Sequence, residues 1–324
     1  MRRAVEVAAP VVALAVCLWA VQVPLFVESP GRAREVLPLI DVDGTETYRS
    51  EGRFLLTTVN LGRVNLYEAL GAWLDPEADV IPEHDLIPPG ETDLEFEAVA
   101  RSQMDQSKIA GVAAGLEEVT DYPAVHGAGV IVQDVLPGAP ADGLLFPGDL
   151  ITEVDGNPLA GIDALRRLIA AAGTERTIRL RARPVEGGRS RTVEVRPALV
   201  EGETRPVIGV ATVENFPFEV RIESGAIGGP SAGLMWALGV TDLLTPEDLT
   251  AGRVLAGTGT VDLQGAVGPI GGVRLKILAA QRAGAAAFLL PRDNLAEARG
   301  AGAGLRLVPV STVEDALDYL ESAR

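Results

Sequence analysis

The sequence predicts an α+β chain in three parts: an N-terminal transmembrane helix, a compact β-rich domain and a C-terminal α/β domain. Three observations predict it. Val7 to Val27 is apolar except for Gln22. Tyr122 to Leu199 is cut by Gly and Pro turns into short apolar runs, as strands are. Within residues 204–324, the glycine-rich segments Gly228 to Gly233 and Gly268 to Gly272 each lead into a run that reads as a helix, and the α/β class of this part is what a family resemblance implies. The 324 residues suit two domains plus a small element, and 47% hydrophobic residues with 23% charged exclude disorder throughout. A single cysteine excludes a disulfide framework, and His84 and His126 are the only histidines, so no metal is expected. The net charge of −17 makes nucleic acid a poor partner. Lysine occurs only at Lys108 and Lys276, so 26 of the 28 basic residues are arginine.

At about 1.5 Å per residue, a helix over 7–27 just spans a hydrocarbon core of about 30 Å. Arg2 and Arg3 precede it, and Glu28, Asp41 and Asp43 follow. The positive-inside rule then puts residues 1–6 in the cytoplasm and the bulk of the chain outside, on a single-pass anchor. The alternative is a cleaved signal peptide. Residues 28–118 read as a membrane-proximal region of mixed structure. Within it Arg53 to Leu61 is β-prone, Asn65 to Leu74 a short helix, Asp75 to Pro89 a loop and Glu95 to Leu116 an amphipathic helix. Lys108 on that helix reads as a solvated cation.

Residues 119–200 form the β-rich domain. Its strands are expected at Gly129 to Val132, Leu150 to Val154, Thr177 to Ala182 and Arg191 to Val195, with a helix near Gly161 to Ala172. The stretches GAGVIVQDVLPGAPADG and FPGDLITEVDGNPL resemble a PDZ domain. The resemblance implies peptide binding by β-augmentation. A peptide would add beside Val130, Ile131 and Val132, its carboxylate meeting the N–H groups of Gly127, Ala128 and Gly129. The alternative is a small β-domain that only spaces its neighbours.

The chemistry is expected in residues 204–324. In Gly228-Gly229-Pro230-Ser231-Ala232-Gly233, two glycines relax the backbone before a helix and Pro230 suits its first position. Ser231 then sits where free N–H groups converge, so a nucleophilic oxygen there has oxyanion donors around Gly229 to Ala232. The alternative is that Ser231 caps the helix. Lys276 lies in a second segment, Gly268 to Ala280. On a helix its neighbours three and four positions away are Gly272, Val273, Ala279 and Ala280, a small apolar face. A desolvated lysine loses its proton near neutral pH, whereas arginine does not. A snorkelling lysine is the alternative.

GPSAGLMWAL at 229–238, LTPEDLTAGRVLAGTGTVDLQGAVGPIGG at 244–272, VRLKILAAQRAGA at 273–285 and LLPRDN at 289–294 resemble the proteolytic domain of Lon proteases, a Ser–Lys dyad fold. That resemblance implies Ser231 as nucleophile, Lys276 as general base and Thr258 beside the dyad. Many Lon proteins carry an acid three residues before the serine; here that position is Gly228, and Glu223 is the remaining acidic neighbour. No GxxxxGK[ST] loop exists, so neither ATP nor any other cofactor is expected. Anchor, PDZ and Lon-type domain together resemble the membrane-anchored PDZ Lon-like serine proteases of bacteria. The expected partners are protein or peptide substrates and the membrane, with a homo-oligomer left open. The rival reading is a non-catalytic membrane-tethered PDZ scaffold.

Overall fold

The computed structural model describes residues 21–302 and 304–323. Strands β1 (Gln22–Glu35), β2 (Ile40–Asp43) and β3 (Arg53–Asn65) come first. Helix α1 (Leu66–Leu74), β4 (Asp79–Pro82), α2 (Glu83–Leu86) and the long α3 (Asp93–Val119) follow. Next are β5 (Gly127–Val135), β6 (Asp149–Val154), β7 (Asn157–Pro158), α4 (Ile162–Ala172), β8 (Ile178–Pro184) and β9 (Arg191–Val195). The chain continues through β10 (Val210–Asn215), β11 (Glu219–Ile222), α5 (Gly233–Leu244), β12 (Val254–Gly257), β13 (Thr260–Val261) and β14 (Val267–Gly268). It ends with α6 (Val273–Arg282), β15 (Ala287–Pro291), α7 (Leu295–Ala298), β16 (Arg306–Val310) and α8 (Val313–Ser322).

The larger sheet has the order β16-β15-β12-β3-β1-β4. Strands β16, β15, β12 and β3 run parallel, and β1 pairs antiparallel with both β3 and β4. Its two faces are covered by different helices, as a largely parallel sheet requires. Phe54, Leu56, Leu255 and Leu289 point to the core of α5 and α3. Leu55, Ala256, Phe288 and Leu290 alternate to the other side, against Val273, Ile277 and Ala280 of α6. Thus the segment 28–118, which the sequence sets apart, supplies two central strands of the sheet that holds the C-terminal helices. The 75–89 stretch, expected as a loop, contains β4, which is held by Arg274 Nη2 on Asp79 at 2.8 Å.

The transmembrane helix is overturned. The last part of the proposed span, Gln22 to Val27, lies in β1, where Phe26 pairs with Arg63 and Val27 with Gly62. No helix among the described residues is long and apolar enough to cross a membrane. The single-pass placement in a bacterial membrane, with the bulk of the chain outside, therefore loses the helix it rested on. Pro24 lacks the N–H a helix interior needs, and the Val/Phe-rich run alternates outward and inward against β3. A mean-hydrophobicity reading sees no difference between such a strand and the end of a span. The rest of the proposed span, 7–20, lies outside the described residues.

Residues 127–215 form a second sheet, β10-β5-β6-β8-β9, with β7 on β6. Its separate core is built from Val130, Ile151, Leu165, Ile178, Leu180 and their neighbours. In sequence this unit lies between α3 and the rest of the first sheet.

Candidate active site and peptide groove

Ser231 is held at a turn, two residues before α5 begins. Gly229 has φ +82°, which a side chain rarely adopts, and its N–H donates to the Ala100 carbonyl of α3 at 2.8 Å. Ser107, also on α3, donates its hydroxyl to the Pro230 carbonyl at 2.8 Å. The Ser231 carbonyl accepts from Gly259 N–H and from Thr258 Oγ1, each at 2.9 Å. Helix α5 has Ala232 as its N-cap residue with no side-chain cap bond, so Ser231 is not capping it. The expected helical start at Pro230 is displaced, and the serine hydroxyl faces Lys276 instead.

Helix α3 can grip this turn because it lies very close to α5. A Cβ on Gly111 would stand 2.7 Å from Trp236 Cβ, and one on Gly115 would stand 2.7 Å from the Ala237 carbonyl oxygen. Only glycine allows that approach, and it sets Ala100 and Ser107 against the serine turn.

Lys276 stands one turn into α6. Its Nζ donates to Ser231 Oγ at 2.7 Å and to Thr258 Oγ1 at 3.2 Å. The lysine is 4% exposed and Thr258 1%. Burial pushes the lysine pKa down to about 8, while the negative charge of Glu28 acts the other way. The carboxyl of Glu28, on β1, is itself raised by burial first and by nearby Asp79 next, against the pull of Lys276. Its Oε2 lies 3.6 Å from where a Cβ on Gly272 would stand, at the start of α6. Ser231, Thr258 and Lys276 meet just beyond the carboxyl end of β12, the usual place for a site in an open α/β sheet.

The sequence reading of the site changes in four places. Glu223 is exposed, with its N–H on the Leu39 carbonyl, and it does not line the cleft. The carboxylate electrostatically linked to Lys276 is Glu28. Sequence reasoning missed it because it follows the apolar run and read as the flank of an anchor; the strand alternation of 22–28 was the available signal. Gly229 cannot serve as an oxyanion donor while its N–H is on Ala100, and Pro230 has none, leaving the N–H groups of Ser231 and Ala232. Lys108 is not a solvated cation: it is buried and bonds Glu186 of the second sheet's unit at 2.7 Å and Asp105 at 3.2 Å. Among the described residues no group of three or more His, Cys, Asp or Glu side chains is arranged to hold a metal.

A cleft of about 440 Å³ opens over the dyad, walled by Arg32, Arg34, Asn60, Met104 and Ile227. A second, of about 750 Å³, lies between β10 and α4, lined by Leu165, Ile169 and the stretch Val207 to Thr212. The peptide edge expected beside Val130, Ile131 and Val132 is already occupied. These residues pair with Thr212, Val213 and Glu214 of β10, and Val130 and Ile131 pair with β6 on the other side. The Gly127-Ala128-Gly129 loop is closed as well: Gly129 N–H bonds Leu159 and the Ala128 carbonyl accepts from Asn215. Strand β10 is one of the two end strands of its sheet, and no described strand pairs with its outer edge.

Comparison with known proteins gives two regional likenesses. Residues 204–320 match the family described as the Lon protease (S16) C-terminal proteolytic domain. Residues 131–182 match the PDZ domain family. The Lon protease of Azospirillum brasilense is 38% identical over 112 residues, which are 33% of this chain and 14% of that protein. Lon protease 1 of Herpetosiphon aurantiacus is 44% identical over 90 residues, 26% of this chain and 10% of that protein. The chain thus spans about a tenth to a seventh of the length of these curated relatives. Among solved structures, the PDZ domain of the SdrC-like protein from Listeria monocytogenes is 27% identical, covering 26% of this chain and 87% of that one, with a TM-score of 0.24. A Lon protease C-terminal proteolytic domain and a PDZ domain are therefore both found in this chain, and the Ser231, Thr258 and Lys276 constellation lies inside the first.

Proposed function

We propose that the chain is a serine endopeptidase that works through a Ser231–Lys276 dyad and needs no ATP for the cleavage step. The observation that carries this reading is the 2.7 Å contact between Lys276 Nζ and Ser231 Oγ, made by a lysine that is 4% exposed. With a pKa of about 8, about one amine in ten is neutral at pH 7 and ready to act as base. Lys276 takes the proton of Ser231 as Oγ attacks the peptide carbonyl, and the N–H groups of Ser231 and Ala232 receive the oxyanion. The ammonium then protonates the leaving amine, the acyl-enzyme forms, and the neutral lysine activates the water that releases it. Thr258 orients the amine and clamps the Ser231 carbonyl. The PDZ domain positions substrate, with a peptide strand adding to the outer edge of β10. Substrates are unfolded segments, tails or loops, since the sequence holds no phosphate loop to drive unfolding.

Cleavage of casein without nucleotide tests the reading. Ser231→Ala and Lys276→Ala should each lose turnover. Lys276→Arg should be equally inactive, because charge is kept while deprotonation is lost. Turnover that survives in any of the three removes the dyad.

A further inference from the structure

The cleft over the dyad carries two cations whose guanidinium groups have no ion-pair partner among the described residues. Arg32 and Arg34 are exposed, two residues apart on β1, and both line the cleft that holds Ser231 and Lys276. Neither forms an ion pair among the described residues, while the neighbouring acid, Glu35, is taken by Arg53 at 3.0 Å. Arg34 Nη1 lies 4.0 Å from where a Cβ on Gly225 would stand, so the guanidinium reaches toward the segment that leads to the serine turn. Strand β4 covers β1 only over Leu25 to Glu28, so the edge of β1 beyond it is unpaired by any described strand on the side away from β3. An extended peptide beside that edge presents alternate side chains to one face, matching two arginines spaced by two. In a chain of net charge −17 this is a local reversal of sign beside the reacting atoms.

We propose that Arg32 and Arg34 make the cleft selective for substrates with acidic side chains two residues apart, next to the scissile bond. The proposal deepens the protease reading and rests on it. The guanidinium forks bind carboxylates bidentately, and this local attraction offsets the general repulsion of acidic substrates by the rest of the protein. The hydrophobic wall of Met104 and Ile227 takes the side chains between them.

The test uses quenched fluorescent peptides with one common cleavable centre, flanked on either side by Glu-x-Glu, Gln-x-Gln or Lys-x-Lys. For the full chain, kcat/KM should favour Glu-x-Glu over Gln-x-Gln by about fivefold to tenfold at low salt, and the ratio should shrink as salt is raised. Each variant is read by this ratio, so a change in overall activity does not matter. Arg32→Gln/Arg34→Gln should bring the ratio near one, and Arg32→Glu/Arg34→Glu should favour Lys-x-Lys. Equal cleavage of the three peptides by the unaltered chain, or a preference that persists in Arg32→Gln/Arg34→Gln, overturns the proposal. If nothing is cut, the dyad reading fails by itself. Anisotropy of the labelled peptides on Ser231→Ala still decides this proposal: tighter binding of Glu-x-Glu sustains it and equal binding overturns it.

Discussion

Replacing Lys276 with methionine should make the protein more stable and abolish its chemistry. The amine is 4% exposed, and burial moves its pKa from an ordinary 10.5 to about 8. A lysine whose folded pKa is lowered binds its proton less well in the native state than in the unfolded one. That difference corresponds to about 3 kcal/mol of destabilisation at pH values below the folded pKa. Methionine removes the penalty and fills much of the same volume. It also removes the two hydrogen bonds to Ser231 and Thr258, a loss of about 1 kcal/mol because Ser231 can turn to water and Thr258 keeps its bond to the Ser231 carbonyl. The net gain at pH 7 is about 2 kcal/mol. It has a pH signature: the lysine penalty fades as pH rises from about 8 to 10.5, the two titration points, because only the unfolded chain holds the proton in that window. Urea denaturation of Lys276→Met and the unaltered chain, at pH 7 and pH 10, measures the difference. A gain that does not shrink at pH 10, or a loss of stability at pH 7, refutes the claim that Lys276 is held in a desolvated state.

Two further outcomes follow from the same geometry. With Lys276 as base, kcat/KM should rise with pH through an apparent pKa of about 8, and Glu28→Gln should move that limb to lower pH, since Glu28 acts to raise the lysine pKa; a limb that stays in place or moves up removes Glu28 from the site's electrostatics. Gly111→Ala should destabilise by about 1–2 kcal/mol, the clash of its Cβ with Trp236 Cβ at 2.7 Å outweighing the better helix propensity of alanine. Thermal denaturation measures that cost, and kcat should fall with it because α3 carries the contacts to Gly229 and Pro230.

Local signals in the sequence were legible wherever they suffice to specify the structure. Asn65 caps α1 through a capping box with Glu68, and α1 runs over Leu66–Leu74 inside the expected helix. The strand at Arg191–Val195 has the expected bounds. The meeting of Ser231, Thr258 and Lys276 is a long-range contact that no local pattern dictates; the resemblance to the Lon proteolytic domain is what implied it. Long-range pairing was not legible. The alternation in 22–28 says that a strand exists, not that its partner begins at Arg53. The glycine loop before Val130 looks like a place for a peptide, and only the return of β10 some eighty residues later shows that the chain itself lies there. Lys108 fails for the same reason, because Glu186 is remote in sequence.

The structure also explains why the PDZ unit and the serine turn sit on a common support. Helix α3 carries Ala100 and Ser107, which hold Gly229 and Pro230. The same helix carries Gln106, which donates to Asp134 on β5 at 2.7 Å, and Lys108, which bonds Glu186. Gln106 and Lys108 therefore flank Ser107 in sequence while reaching into the other unit. A helix packed through Gly111 and Gly115 has little room to rotate independently of α5. The long α3 is thus the rigid element to which both units are fastened.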